Sequence, residues 1–544
     1  MQLFINEKNN VVTEAIDGLI QGASGKLSRL DGYPHIKVVV RSDWDKSRVA
    51  LISGGGSGHE PSHAGFVGRG MLTAAVCGDV FASPSVDAVL AAILAVTGPQ
   101  GCLLIVKNYT GDRLNFGLAA ERARSLGLKV SMVMVDDDIA LPDIPQPRGL
   151  AGTLFIHKIA GAMAEEGASL ETVTVVTERI ISKVKTIGLS LDTCLVPGSE
   201  KIDRIPDGRA ELGLGIHGEA GIEQINYSGV KAAVSVMIEK LMQSVGQGDL
   251  VVLINNLGGV SSLEMSIIAN EIFSSSLNKR LSWVIGPSCL MTSLDMKGFS
   301  ITVCPVTDDE LRCLTTPVEP WSWPGCNSIT TPQIIEMPDG LRLEPPVPSA
   351  HPATKVLILG CCEVLIDCER ELNTLDAFSG DGDTGSTLAS AARALISKLD
   401  ELPLADHTQL FRAIGQELSQ TMGGSSGVLL AIFFAAAGDS SSSGSDIPNS
   451  LLDGLKRMKE IGGAELGDRS MVDALEPALS AFARAENPAI ASRKGADETA
   501  NMVSARVGRA TYLSADQLQG HKDPGAEAVA KLFEYLVGRG GSQG

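Results

Sequence analysis

The chain has 544 residues, 44% of them apolar, and a formal net charge of −19. That length exceeds what one hydrophobic core supports, so two or three domains are expected. The negative charge, with a pI of about 4.9, argues against nucleic acid or an anionic membrane as the main partner. A protein of this charge that handles phosphates needs a metal or a few well-placed cations.

The N-terminus lacks the charged-then-apolar order of a signal peptide. Residues 428–437, the longest apolar run of interest, are too few to span a bilayer and read as a buried helix. The ten cysteines contain no C-x-x-C pair and no His/Cys ligand cluster. Without an export signal they read as reduced thiols of a cytoplasmic protein, most of them core fillers.

The first half alternates short apolar runs with helical patterns. Residues 49–52, 102–106 and 130–135 read as buried strands, with helical spacing over 85–96 and 114–126 between them, as in parallel β-α-β units. A second set of strands follows at 250–257, 282–285 and 301–306. The polar, turn-rich stretch 197–207 separates the two sets, so two α/β subdomains are expected, 1–195 and 196–316, with largely parallel or mixed sheets. Nine prolines then fall within 317–352, which predicts an extended, stiff linker. Beyond it the pattern is helical: Leu388, Ala392, Leu395, Ile396 and Leu399 share one face, and Leu410, Ile414, Leu418 and Met422 repeat at four-residue steps. Residues 353–544 are expected to form an all-α domain, with 440–445 as a serine-rich surface loop.

Within the first domain, Ser53-Gly-Gly-Gly-Ser-Gly-His-Glu-Pro follows a strand. Ligands of open parallel sheets bind at the carboxyl ends of strands, so a glycine loop there suits a small polar molecule. It is not a Walker A loop, since no Lys-Ser or Lys-Thr follows the glycines. His59 stands at its end, where a general acid or base would reach a ligand. Strand 102–106 also ends in polar groups, among them Lys107 and Asp112, whose bland alternative is a surface ion pair. His217 is flanked by glycines; a neutral imidazole so exposed can attack a carbonyl carbon, although a satisfied structural histidine fits equally.

In the second domain, Asp376, Asp381 and Asp383 crowd one glycine-rich loop that runs into a helical pattern at Ser386 and Thr387. Two such charges about 4 Å apart repel by roughly 4 kcal/mol at an effective dielectric near 20. A hard cation such as magnesium, shared with substrate phosphates, would turn that repulsion into binding, and a glycine-rich helix start favours phosphate. Gly380, Gly382 and Gly385 fit G-x-G-x-x-G, but the charged, helix-like run before them is not the strand a dinucleotide fingerprint needs. An EF-hand is excluded by Gly385 and Ala392 at its fifth and twelfth positions. Gly423-Gly-Ser425-Ser-Gly427 fits G-x-S-x-G, but a helix precedes it where a nucleophile elbow needs a strand.

Taken together, these segments resemble the dihydroxyacetone kinase family, specifically its single-chain, ATP-dependent bacterial type. The resemblance covers almost the whole chain and rests also on Lys107-Asn-Tyr-Thr-Gly-Asp, Gly215-Ile-His-Gly-Glu, Asn255-Asn-Leu-Gly-Gly, Asp295-Met-Lys-Gly-Phe-Ser, Gly467-Asp-Arg-Ser-Met and Asp523-Pro-Gly-Ala. It implies that His217 forms a hemiaminal with the triose carbonyl. Gly56, Ser57, Gly58, His59, Lys107 and Asp112 would bind the triose, with His59 and Asp112 as acid and base. Asp376, Asp381 and Asp383 would carry two magnesium ions on the ATP phosphates. Gly382, Asp383, Thr384, Gly385, Ser425, Ser426, Gly467, Met471, Asp523, Pro524 and Gly525 would form the nucleotide site. Ala220 stands where the family usually has proline, Ser470 where threonine is common, and His521-Lys522 precede Asp-Pro-Gly.

The resemblance implies phosphorylation of dihydroxyacetone, and of glyceraldehyde, by a cytoplasmic homodimer, with exchanged domains as one arrangement. Relatives suggest three other readings: transfer from a phosphoprotein, a lyase that cyclises flavin adenine dinucleotide, and a non-catalytic regulator that captures dihydroxyacetone. The three loop aspartates argue against the last, since a pure sensor needs no metal triad.

Overall fold

The computed structural model describes residues 3–140, 146–201, 204–338 and 345–540. The chain divides into an N-terminal unit, 1–334, and a C-terminal unit, 335–544.

The N-terminal unit contains two mixed sheets. The first has six strands: β1 (Leu27–Arg29), β2 (Val38–Arg41), β3 (Ala50–Ser57), β4 (Ala74–Val80), β5 (Cys102–Lys107) and β6 (Val130–Val135). Their order is β1-β2-β4-β3-β5-β6; β3 pairs in parallel with β4 and β5, and β5 with β6. The second sheet takes β7 (Lys185–Ser190), β8 (Arg209–Leu212), β9 (Glu223–Asn226), β10 (Leu250–Asn256), β11 (Leu281–Cys289), β12 (Gly298–Pro305) and β13 (Cys326–Ser328). Its order is β13-β11-β10-β12-β7-β8-β9, mostly antiparallel, with β10 and β11 parallel.

Helices Val86–Val96 and Thr110–Ser125 cover one face of the first sheet through Val89, Ile93, Phe116 and Ala120. Val230–Ser244 and Ser262–Phe273 cover one face of the second through Met237, Leu241, Ile268 and Ile272. The remaining faces share one core with helices Thr153–Glu165 and Leu170–Lys183. Eleven of the thirteen residues of Thr153–Glu165 are buried, as a helix must be when it is enclosed on all sides. The two expected subdomains are therefore halves of one unit with a continuous core.

Three boundaries differ from the sequence reading. The second sheet begins at Lys185, ahead of the expected junction at 195, because helix Leu170–Lys183 runs almost directly into β7. That strand, Lys-Thr-Ile-Gly-Leu-Ser, carries too few apolar residues to stand out. The proline-rich stretch is not all linker. Val318 and Pro320 fill space beside Gly70 and Gly68, Trp323 is buried, and β13 pairs with β11. Within the expected linker, residues 339–344 lie outside the described residues. Finally, Ser53 to Ser57 is the end of strand β3 rather than a loop, because glycines let β4 approach: a Cβ on Gly54 would lie 2.3 Å from the Val76 oxygen.

The C-terminal unit is helical. Its helices are Pro352–Asp367, Glu369–Asp376, Thr384–Ser397, His407–Thr421, Gly424–Ser442, Ile447–Gly462, Val472–Ala483, Pro488–Glu498, Ala515–Leu518 and Pro524–Gly540. The first has Pro352 in its opening turn, where no donor is lost. Ser440 to Ser442 end a helix instead of forming a loop. Residues 428–437 are helical but not buried throughout: Phe433 and Ala437 face the core while Val428 is exposed. Among the described residues no helix is long and apolar enough to cross a membrane.

Asp137 ties the two sheets together. Its carboxylate accepts N–H bonds from Leu150 (2.6 Å) and Gly152 (2.8 Å) and a hydroxyl bond from Thr186 of β7. Burial pushes its carboxyl up to about 6 against these bonds. Asp137→Ala strands the buried N–H groups of Leu150 and Gly152 and is expected to destabilise the N-terminal unit by about 3 kcal/mol, read as a lower urea midpoint with an unchanged slope.

Candidate active site

The ends of β3 and β5, with residues delivered from the second sheet, bring together His59, Lys107, Asp112 and His217. Lys107 closes β5 and is fully buried, and Asp112 lies in the first turn of helix Thr110–Ser125. A Cβ on Gly55 would lie 3.0 Å from Lys107 Nζ and 3.3 Å from Asp112 Oδ2, so only glycine leaves the gap between them open. Asp112 Oδ1 has no hydrogen-bond partner. Burial lowers the affinity of Lys107 for its proton, opposed by the charges of Asp112, Glu60 and Glu219.

His59 and His217 meet edge to face, their ring centres 4.7 Å apart. His59 Nδ1 lies 2.8 Å from the Thr292 carbonyl oxygen. A carbonyl only accepts, so Nδ1 carries the proton and Nε2 a free lone pair; Nε2 has no partner. Burial, then the Lys107 charge and the His217 ring, hold His59 well below the ordinary imidazole range. His217 Nδ1 faces Glu219 Oε1 at 3.2 Å, and Glu219 Oε2 accepts the His217 backbone N–H at 2.9 Å. Burial opposes the Glu219 charge, but the hydrogen bonds from His217 outweigh it and hold that carboxyl down at about 2. An ionised Glu219 only accepts, so Nδ1 donates its N–H to it, which again leaves Nε2 as the basic nitrogen. Tyr109 and Phe81 pack edge-on against the His217 ring.

Glu219, Thr292, Tyr109 and Phe81 were not singled out from sequence. Glu219 was within reach, standing two residues after His217 in a glycine turn; Thr292 is brought in by tertiary structure alone. Gly56 and Gly58 make room: a Cβ on either would strike the Phe81–Ala82 backbone or the Phe81 ring at under 3 Å. Ser57 donates its hydroxyl to the Gly78 carbonyl at 2.8 Å, so that hydrogen is not available to a ligand.

In the C-terminal unit, Asp376, Asp381 and Asp383 place carboxylate oxygens within 4.8 Å of one another. Asp376 Oδ2 accepts the backbone N–H groups of Gly382 (3.0 Å), Asp383 (3.0 Å) and Thr384 (3.2 Å), which folds the loop back on itself. Burial and the charges of Asp381 and Asp376 raise Asp383, whereas the hydrogen bond from Arg509 lowers Asp381. An all-oxygen set whose members repel suits a hard divalent cation. Arg509, also missed from sequence, pairs with Asp381. Gly385 serves helix packing, since a Cβ there would lie 2.0 Å from the Glu369 oxygen.

His521 stacks on Phe378 at 4.0 Å, which brings the segment before Asp523 to the acidic loop. Asp523 caps helix Pro524–Gly540 through the Ala526 N–H (2.8 Å), and burial pushes its carboxyl up to about 6. Gly525 sits against Met471, 3.1 Å from its Cβ to a Cβ built on the glycine. Asp473 takes the N–H groups of Gly467 and Ser470 and so shapes the turn before Met471. Ser425 and Ser426 stand in the first turn of Gly424–Ser442, where helix N–H groups lack intrahelical partners.

Residues 18–321 match the Dak1 domain and residues 379–538 the DAK2 domain. The chain is 49% identical over 554 residues to a dihydroxyacetone kinase of Citrobacter freundii, covering 98% of this chain and 99% of the relative. It is 39% identical over 571 residues to a triokinase/FMN cyclase of Mus musculus, with 98% of each covered. It is similar in structure to the C. freundii dihydroxyacetone kinase solved in complex with AMP-PNP and Mg2+, at a TM-score of 0.69 and 47% identity over 99% of each chain.

Titration with Mn2+ as a paramagnetic probe tests the acidic loop without any substrate. Replacing Asp381 and Asp383 together by Ala is expected to weaken Mn2+ binding at least about a hundredfold. Arg509→Gln removes a competing cation and is expected to tighten it about two- to fivefold.

Proposed function

The chain belongs to the dihydroxyacetone kinase family, and from that premise we propose that it transfers the terminal phosphoryl group of ATP to dihydroxyacetone, and to glyceraldehyde. The observation that carries this reading is the His217–Glu219 pair, whose Nδ1 contact with Glu219 leaves Nε2 as the nitrogen without that partner, with the His217 ring 4.7 Å from that of His59. In the reaction, the Nε2 lone pair bonds to the ketone carbon and the carbonyl π pair moves to oxygen. The oxygen takes up one proton and Nδ1 gives one up through Glu219, so the adduct is a neutral hemiaminal. Tethering orients one terminal hydroxyl and excludes glycerol, which has no carbonyl.

Asp112, or His59 through Nε2, takes the proton of that hydroxyl as its oxygen bonds to phosphorus and the bond to ADP breaks. Lys107 holds a triose oxygen. Asp376, Asp381 and Asp383 would hold two magnesium ions, which would neutralise the polyphosphate as phosphoryl transfer requires. Gly382, Thr384, Gly385, Ser425, Ser426, Gly467, Met471 and Asp523 to Gly525 would bind the nucleotide. Triose and ATP are held on different units, so transfer requires that the two meet, within one chain or across a homodimer with exchanged domains. The cytoplasm, where ATP and magnesium are supplied, is the compartment this reading implies.

A second reading, a flavin-nucleotide cyclase, is favoured by the similarity to the mouse triokinase/FMN cyclase and uses the same acidic loop. Purified protein given magnesium-ATP and dihydroxyacetone, with no phosphocarrier, separates the two. ADP released in step with triose consumed supports the kinase, and no turnover overturns it. In the same assay His217→Ala is expected to lower triose phosphorylation by more than about a hundredfold while ATP binding persists. Glu219→Gln keeps an acceptor for Nδ1 but loses the charge, and is expected to cost about ten- to a hundredfold in kcat/KM.

A further inference from the structure

Behind Lys107 lies a second pair of imidazoles that the proposed reaction does not use. His63 is buried, and its Nε2 lies 3.2 Å from Lys107 Nζ. Its Nδ1 lies 3.4 Å from Ser53 Oγ. Ser53 already donates its hydroxyl hydrogen to the Ile105 carbonyl at 2.7 Å, so toward His63 its oxygen can only accept. Nδ1 therefore carries the His63 proton, and Nε2 presents a lone pair to the ammonium. His157, also buried, packs edge-on against His63 with ring centres 5.2 Å apart, and neither of its nitrogens has a partner. Burial and the Lys107 charge keep both rings neutral.

We propose that His63 is a positioning residue that aims the Lys107 ammonium at the triose. This deepens the kinase reading and rests on it for its substrate. One ammonium hydrogen goes to His63 Nε2, and two remain for the gap over Gly55 that Lys107 shares with Asp112. Gly149 presses on the base of the same side chain: a Cβ there would lie 2.8 Å from Lys107 Cα. The lysine is thus held at both ends. Without an acceptor behind it, a buried ammonium turns toward the nearest carboxylate, Asp112, and closes the gap a triose hydroxyl would occupy.

Two variants separate this role from simple packing. The Gln side-chain oxygen reaches where Nε2 stands, whereas Asn reaches only the Ser53 side. His63→Gln is expected to keep the KM for dihydroxyacetone within about threefold of the parent. His63→Asn is expected to raise it about ten- to a hundredfold, the loss of one charged hydrogen bond, with the KM for ATP unchanged in both. Any other ranking of the two overturns the proposal. The parent protein supplies an independent readout: with 15N-labelled histidine, His63 is expected to be protonated at Nδ1 and bare at Nε2, and a proton on Nε2 overturns the proposal. That spectrum needs no triose turnover, so it reads the His63–Lys107 contact independently of the substrate.

Discussion

A single buried ammonium governs the candidate site of the N-terminal unit. Lys107 has no exposure to solvent, and an unpaired charge in such a place is costly. The fold answers by surrounding it with carboxylates, Asp112, Glu60 and Glu219, and with imidazoles that burial and the same charge keep neutral, His59, His63 and His157. Neutrality makes these rings chemically useful. A neutral imidazole has one donor and one acceptor, and a fixed partner decides which nitrogen is which. Thr292 decides it for His59, Glu219 for His217 and Ser53 for His63.

The acidic loop follows the opposite logic. Asp381 and Asp383 are exposed, where water and Arg509 moderate their repulsion, while Asp376 is buried and held by three backbone N–H groups. One carboxylate thus shapes the loop while keeping an oxygen within 4.8 Å of the other two. Exposure leaves Asp381 and Asp383 open to an ion arriving from solvent. Burial around Lys107 gives a low dielectric, which strengthens every hydrogen bond made there.

Much of this could be read from residue order. Strands β5 and β6 and helix Val86–Val96 stand close to where apolar periodicity puts them, because each buries enough hydrophobic surface to leave a clear pattern. Strand β7 was invisible for the reverse reason: it has few apolar residues and is held by neighbours distant in sequence, Thr302 of β12 and Asp137. The glycines of β3 read as a loop because glycine signals freedom, yet here glycine signals crowding.

The sequence by itself determined the kinds of chemistry present: a carboxylate triad on a glycine loop, two histidines in glycine-rich segments, a lysine and an aspartate at a strand end. Spacing along the chain conveys such groupings when the partners are near neighbours. Only the tertiary structure decided which nitrogen of His59 is basic, that Lys107 is backed by His63, and that Arg509 lies on Asp381. Those pairings join residues 44, 128 and 233 positions apart, and a hydrogen bond across such a distance exists only once the backbone has brought both ends together.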